Sequence, residues 1–109
     1  MKKLFALLFV LGTLTACGTR EPGQYDKLAQ CLTDKDVKMY GADTCPHCLA
    51  QKKAFMGSFD LINYVECRKD PQACEAAGIT NYPTWIINGE RHVGETSMSE
   101  LAELSSCEL

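Results

Sequence analysis

The chain has 109 residues, enough for one small domain and too few for a multi-domain enzyme. Its formal net charge of −3 at pH 7 argues against a nucleic-acid-binding protein, because no excess of Lys and Arg is present to displace counterions from phosphates. Seven cysteines are many for this length. Such a count indicates metal-binding or catalytic thiols in a reducing compartment and disulfides in an oxidising one.

Residues 1–16 are typical of a secretory signal peptide. A basic start, Met1-Lys2-Lys3, precedes an apolar run over residues 4–11. This segment is shorter than the roughly 20 apolar residues that a membrane-spanning helix needs. Its end, Leu14-Thr15-Ala16-Cys17, resembles the lipobox of bacterial lipoproteins, in which the cysteine becomes the mature, lipidated N-terminus. The resemblance implies a lipid on Cys17 and a location in the bacterial cell envelope.

The same resemblance implies that Gly18 after this cysteine favours the outer membrane over the inner one, with the domain facing the periplasm or the cell surface. Removal of residues 1–16 also removes Lys2 and Lys3, so attachment to a membrane would depend on the lipid and not on basic residues. Residues 18–24 lack apolar periodicity and are predicted to be a tether. The sequence therefore divides into a signal peptide (1–16), a lipidated N-terminus and tether (17–24) and one folded domain (25–109).

The first half of the domain alternates helix and strand. Apolar residues at helical spacing predict a short helix over residues 25–33, and a strand over 37–40 ends at Gly41. Residues 45–59 form the longest helical pattern, in which Lys52 and Lys53 are separated from Leu49, Phe55 and Met56. A second strand is predicted over residues 61–65.

The second half has clear start and stop signals. Pro71 suits the first turn of a helix over residues 71–77, and Gly78 suits its end. A strand over 84–87 is followed by the hairpin turn Asn88-Gly89 and an edge strand over 91–93. Ser97-Met98-Ser99-Glu100 begins the last helix with a capping-box pattern. The order α-β-α-β-α-β-β-α predicts an α/β fold with helices on both faces of a sheet and a hairpin at one edge.

The motif Cys45-Pro46-His47-Cys48 follows a strand and begins a helix. The first N–H groups of a helix are unpaired and carry partial positive charge, so they favour a thiolate on Cys45. Pro46 at the first helical position costs no hydrogen bond, and His47 adds a donor or a cation near the sulfur. A stabilised thiolate makes the corresponding disulfide more oxidising. We expect Cys45 to be the attacking sulfur and Cys48 to be the buried, resolving one.

Several spaced motifs together resemble a thioredoxin-fold domain, and most closely the thioredoxin-like domain attached to vitamin K epoxide reductase homologues in bacteria and plants. The motifs are Met39-Tyr40-Gly41-Ala42, Cys45-Pro46-His47-Cys48, Tyr64-Val65-Glu66-Cys67, Gly78-Ile79 and Tyr82-Pro83-Thr84-Trp85. The resemblance implies a thioredoxin-like α/β fold, with a mixed sheet of about four strands flanked by helices and an extra N-terminal helix. It also implies thiol–disulfide oxidoreductase activity on extracytoplasmic proteins, with no cofactor and with a membrane redox partner of the quinone-linked oxidase type.

The same resemblance identifies Tyr82-Pro83-Thr84 as a cis-proline loop. Beside the cysteine pair, the backbone of Tyr82 would be able to pair with an extended substrate segment as an added strand. Two positions depart from the pattern. Thioredoxins have a buried acid where this chain has Met39, so the proton route is unassigned, and the usual tryptophan before the motif is Thr44.

Four cysteines remain once Cys17 and the motif are assigned, namely Cys31, Cys67, Cys74 and Cys107. Three pairings are possible, and spacing alone does not choose among them. Related domains carry a pair comparable to Cys67 and Cys74. We therefore predict structural disulfides 67–74 and 31–107, the second joining the first and last helices. A zinc site made of the motif cysteines with Cys67 and Cys74 is disfavoured, because six residues separate the second pair.

The leading hypothesis is a lipid-anchored enzyme that exchanges disulfides with protein thiols, in the oxidising direction. One alternative is a disulfide reductase or isomerase fed by a membrane electron donor. A second, of a different class, is a lipoprotein that uses the cysteine pair to bind and deliver a soft metal.

Overall fold

The structure, a computed structural model, describes Gly12 and residues 21–109. Apart from Gly12, the predicted signal peptide over residues 1–16 lies outside the described residues, and so does the predicted lipidation site Cys17. Within the described part of the chain, no helix is long and apolar enough to cross a membrane.

Four α-helices, a 3₁₀ helix and four strands alternate along residues 21–109. In chain order they are α1 (Asp26–Asp34), β1 (Lys38–Gly41), α2 (Pro46–Ala54), the 3₁₀ helix (Met56–Leu61), β2 (Asn63–Glu66), α3 (Pro71–Ala76), β3 (Thr84–Ile87), β4 (Glu90–Val93) and α4 (Met98–Ser105). The order is the predicted one, with the 3₁₀ helix added.

The strands form one mixed sheet in the order β2-β1-β3-β4. β1 pairs with β2 in parallel, and with β3 antiparallel. The turn between β3 and β4 has positive φ at both Asn88 (52°) and Gly89 (78°), which is the geometry that twisted two-residue hairpins require. A four-stranded mixed sheet flanked by helices is the thioredoxin-like fold that the resemblance implies.

Side chains from the sheet enter two separate cores, one on each face. Met39, Trp85 and Ile87 point to the larger core, which contains the buried residues of α1, α2 and α4. Tyr40 points to the smaller core with Cys67 and Cys74 of the α3 side. Because side chains alternate along a strand, neighbouring residues of β1 serve opposite faces. The prediction of helices on both faces is therefore confirmed.

The helix predicted over residues 45–59 is wrong in its second half. α2 ends at Ala54, Met56 has a positive φ of 55°, and a 3₁₀ helix follows. This segment is held by α1, because the Tyr25 N–H donates to Ser58 Oγ at 3.0 Å and the Thr33 hydroxyl donates to the Leu61 carbonyl at 2.6 Å. Tertiary contacts with α1 therefore override the local helical pattern. The second strand consequently begins at Asn63 and not at residue 61.

The apolar face predicted for this helix differs in part. Phe55, just after α2, is buried as predicted, but Leu49 and Met56 are exposed, and α2 itself faces the core with Cys48 and Gln51. The polar Gln51 thus takes a core position, and the apolar Leu49 lies at the surface beside the cysteine motif.

Helix ends elsewhere follow the sequence signals. Ser97 caps α4, its Oγ accepting from the Glu100 N–H at 3.1 Å. Asp70 caps α3 in the same way, and Pro71 occupies the first helical position. Gly78, just beyond α3, has a φ of 69°, a conformation that glycine adopts without steric cost.

A cysteine pair at the start of helix α2

Cys45 is the capping residue of α2, in extended conformation, with Pro46 at the first helical position. Its Sγ accepts a hydrogen bond from the Cys48 N–H at 3.4 Å. The same sulfur donates to the Tyr82 carbonyl at 3.6 Å. A partly exposed sulfur therefore lies between a helix N-terminus and the loop that precedes β3.

Cys48 occupies the first turn of the same helix but is fully buried. Burial raises the pKa of its thiol to about 11, helped by the hydrogen bond with Cys45 and opposed by a backbone hydrogen bond at Ala42 and the charge of Lys52. At neutral pH the Cys48 sulfur is therefore a thiol. This asymmetry between one accessible and one buried sulfur suits a pair in which the first reacts with a partner and the second resolves the product.

The loop that contacts Cys45 is fixed in shape. The Tyr82–Pro83 peptide bond is cis, and the Pro83 carbonyl accepts from the Gly94 N–H at 2.8 Å. Thr84 is buried, and its hydroxyl donates to the Asn81 carbonyl at 2.7 Å. Tyr82, in contrast, is 42% exposed. Of the three residues predicted to bind substrate, Tyr82 is thus the accessible one, while Thr84 lies beneath the loop and supports it.

His47 is paired with a residue that the sequence did not single out. Its Nδ1 lies 2.7 Å from Glu95 Oε1, in the segment between β4 and α4. The carboxylate fixes the orientation of the ring at the rim of the site. The two residues are 48 positions apart, and no local pattern connects them.

Gln51 is a second residue that the sequence analysis missed. It is 2% exposed, and its Oε1 accepts from both Trp85 Nε1 at 3.2 Å and the Thr96 N–H at 2.7 Å. Its Nε2 donates to the Thr96 carbonyl at 3.0 Å. One buried amide therefore connects α2 to β3 and to the segment that carries Glu95. The prediction that Trp85 packs in the core is confirmed, since it is fully buried.

Tyr64 of β2 also faces the buried sulfur. A Cβ built on Gly41 would lie 2.8 Å from Cys48 Sγ and 3.4 Å from the Tyr64 hydroxyl. Both groups therefore approach the same glycine, which has no side chain to separate them. Tyr64 and Glu66 both belong to the motif Tyr64-Val65-Glu66-Cys67, but the proximity of Tyr64 to Cys48 was not predicted. An alternating spacing of two on a strand is the signal that would place them on one face.

The remaining cysteines form two disulfides, Cys31–Cys107 and Cys67–Cys74, which are the pairs predicted from the sequence. With Cys67 and Cys74 bonded to each other, they cannot join the motif cysteines in a four-sulfur zinc site. They also lie in the core on the opposite face of the sheet from Cys48. Within residues 21–109, no cluster of three or more potential metal ligands is present.

Comparison with known proteins adds one observation. No protein-family model matches the chain. A curated relative from Arabidopsis thaliana, thiol-disulfide oxidoreductase LTO1, is 42% identical over 91 residues, which cover 75% of this chain and 24% of the relative. The chain thus spans about a quarter of the length of this relative. The relative is named for thiol–disulfide chemistry. An accessible cysteine and a buried cysteine at the start of a helix are suited to that chemistry.

Proposed function

We propose that the protein is a thiol–disulfide oxidoreductase that exchanges disulfides with protein thiols outside the cytoplasm, using Cys45 and Cys48. One observation carries the proposal. The accessible Cys45 sulfur lies within hydrogen-bonding reach of the Cys48 N–H and of the Tyr82 carbonyl, so a sulfur brought to it would lie between the helix start and the cis-proline loop. The similarity to a relative named for this activity supports the same reading.

In the oxidising direction the reaction begins with a Cys45–Cys48 disulfide. A substrate thiolate attacks Cys45 Sγ, a mixed disulfide forms, and Cys48 leaves with the electron pair and takes up a proton. A second substrate thiolate then attacks the substrate sulfur of the mixed disulfide, which releases Cys45 as a thiolate. The substrate loses two electrons, and the cysteine pair gains them. An extended substrate segment pairs with the backbone of Tyr82, a residue that is 42% exposed.

The oxidising direction is proposed from the position of Cys45, whose Sγ accepts from the Cys48 N–H at the N-terminus of α2. Negative charge at a helix N-terminus is in general stabilised, and a stabilised reduced pair makes the corresponding disulfide a better electron acceptor. Reoxidation then requires an electron acceptor. We propose a membrane redox partner of the quinone-linked oxidase type, as the vitamin K epoxide reductase resemblance implies.

The location follows from the sequence at the N-terminus. Leu14-Thr15-Ala16-Cys17 supports lipidation of Cys17 and attachment to the bacterial cell envelope, facing the periplasm or the cell surface. Two structural disulfides within the domain support an oxidising compartment, where such bonds persist.

Matched serine variants test the roles of the two cysteines. The 109-residue chain in its Cys45–Cys48 disulfide form is mixed with a reduced, unfolded protein, and disulfide formation is followed by alkylation and mass analysis. Cys45→Ser cannot form this disulfide and is expected to abolish exchange. Cys48→Ser is mixed instead with a disulfide-bonded protein, whose disulfide the Cys45 thiolate attacks, and it is expected to accumulate a mixed disulfide on Cys45 because the resolving sulfur is missing. Wild-type turnover by both variants would refute the assigned roles, and tight stoichiometric zinc or copper binding by the reduced pair would favour metal delivery instead.

The reduction potential tests the direction. Equilibration of the cysteine pair with glutathione buffers is expected to give a potential well above that of thioredoxin, which is about −270 mV. A potential near the thioredoxin value would identify a reductase.

A further inference from the structure

The proposed exchange requires a proton to move at a buried atom. Cys48 is fully buried, and its thiol has a pKa of about 11. When the Cys45–Cys48 disulfide opens, the Cys48 sulfur must take up a proton, and when it attacks a mixed disulfide it must lose one. Its burial prevents direct exchange with bulk water, so a neighbouring group has to carry the proton.

The Tyr64 hydroxyl is placed for this task. A Cβ atom on Gly41 would lie 2.8 Å from Cys48 Sγ and 3.4 Å from the Tyr64 hydroxyl, so these two distances together limit the separation between the sulfur and the hydroxyl. A separation within that limit is short enough for one water molecule to bridge the two groups and carry a proton between them. A hydroxyl is both donor and acceptor, so it can pass a proton on without a lasting change of its own charge.

The path continues from Tyr64 to the surface. Tyr64 and Glu66 lie two residues apart on β2, and the hydroxyl donates to Glu66 Oε2. The other carboxylate oxygen of Glu66 accepts from the Asp43 N–H at 3.0 Å, in the exposed segment just before the cysteine motif. A carboxylate with one oxygen on the tyrosine and the other at the surface connects the buried sulfur with solvent.

Charged groups lie at both ends of this path, a lysine at the buried end and an ion pair at the surface end. Lys52 Nζ lies 3.9 Å from the centre of the Tyr64 ring, and its positive charge lowers the pKa of Cys48. Asp43, paired with Arg68 at 2.6 Å, lies at the surface end. Burial, and then the hydrogen bond to Glu66, raise the pKa of Tyr64, so its hydroxyl stays neutral. The tyrosine is therefore suited to relay a proton and not to hold a charge.

We propose that the Tyr64 hydroxyl and the Glu66 carboxylate form the route by which a proton reaches and leaves Cys48. This inference rests on the proposed function. When Cys48 attacks, its thiol proton passes to the Tyr64 oxygen, while the Tyr64 hydroxyl gives its own proton to the Glu66 carboxylate to which it is hydrogen-bonded. Glu66 then releases a proton to solvent, and the net change is one proton from Cys48 to solvent. When the Cys45–Cys48 bond breaks, the reverse sequence operates: solvent protonates Glu66, Glu66 protonates the Tyr64 oxygen, and the Tyr64 hydroxyl protonates the Cys48 sulfur. Glu66 acts through Tyr64 and is a positioning residue.

A two-phase reaction with dithiobis(nitrobenzoate) separates this step from the chemistry of Cys45. The reduced 109-residue chain carries Cys17→Ala in all variants, so that Cys17 does not react with the reagent, and its two structural disulfides are intact. It releases a first thionitrobenzoate when Cys45 attacks the reagent. A second is released when Cys48 displaces the reagent from Cys45, and this phase requires deprotonation of Cys48. Both phases are followed by stopped-flow absorbance over a series of pH values.

Tyr64→Phe, which keeps the ring under Lys52, is expected to slow the second phase about tenfold or more at neutral pH and the first phase by less than about twofold. The deficit should shrink as the pH approaches about 11, where much of Cys48 is already ionised before the second phase begins. Glu66→Gln should also slow the second phase and flatten its pH dependence. Tyr40→Phe removes a hydroxyl from the neighbouring strand on the opposite face, and should leave both phases unchanged.

Two results would overturn the proposal, namely a second phase within about twofold of wild type in both Tyr64→Phe and Glu66→Gln, or equal slowing of both phases. Either would leave the proposed function standing, because the wild type would still show two phases. If the Tyr64 variant does not fold, Glu66→Gln decides. A wild-type chain without any second phase would refute the exchange reaction itself, and the relay with it.

Discussion

Replacement of Gln51 by methionine would remove the buried connection between α2 and the segment that carries Glu95. Methionine has a similar length and a good helix propensity, so the change acts mainly on hydrogen bonds. Gln51 makes three of them with buried partners, two to Thr96 and one to Trp85. After the substitution, the Trp85 N–H and both backbone groups of Thr96 are left without these partners.

The expected loss of stability can be worked out from these contacts. A hydrogen bond contributes about 1 kcal/mol net, and a buried group left unsatisfied costs about 1–3 kcal/mol. For three bonds we expect the free energy of unfolding to fall by about 3 kcal/mol or more. In a domain of this size that corresponds to a fall in Tm of at least about 12 °C.

Gln30→Met provides the matched control. Gln30 is also a helical glutamine, but it is exposed and donates to Asp34 on its own helix at 2.8 Å. Its substitution should change stability by less than about 0.5 kcal/mol. Both variants are measured by guanidinium denaturation with the disulfides intact. A loss below about 1 kcal/mol for Gln51→Met, or equal losses at the two positions, would refute the argument that this amide holds the segments together.

Two further predictions concern the cysteines. The Cys31–Cys107 and Cys67–Cys74 bonds join residues 76 and 7 positions apart, so their removal as paired alanine variants should cost about 4.5 and about 2.5 kcal/mol in denaturation experiments. Equal losses would contradict a loop-entropy origin. The folded state raises the pKa of the Cys48 thiol from 9.0 to about 11, so the reduced protein should lose stability as the pH rises through that window. The Cys45–Cys48 disulfide form has no such thiol, and parallel pH curves for the two forms would refute this.

The fold was largely predictable because its boundaries are marked by residues with local conformational preferences. Pro71 begins a helix, Asn88 with Gly89 forms a hairpin, and Ser97 caps the last helix, as the sequence indicated. The end of α2 was not predictable in this way. The positive φ of Met56 and the 3₁₀ helix after it depend on contacts with α1, which lies about thirty positions earlier in the chain.

The candidate site was predictable where it is local in sequence. The cysteine motif and its position at a helix start follow from spacing alone, and Cys48 is buried as expected. The surrounding residues were not predictable, because Glu95 and Gln51 act through partners 48 and 45 positions away. The sequence shows that Met39 replaces the buried acid of thioredoxins, but it does not show that Tyr64 lies beside Met39. Met39 and Tyr64 are neighbours only because β1 and β2 pair in parallel with that register.

The Cys67–Cys74 disulfide is shielded from the solvent in which exchange takes place. Both of its cysteines are 4% exposed, whereas in the other disulfide Cys107 is 8% exposed and Cys31 is half-buried. An attacking thiolate must approach a disulfide along the axis of its bond, and the Cys67 and Cys74 sulfurs present little surface for that approach. Reductants able to open the reactive pair would therefore leave this bond closed. The enzyme would then be able to pass through many cycles among reactive thiols with the core on this face of the sheet still covalently closed.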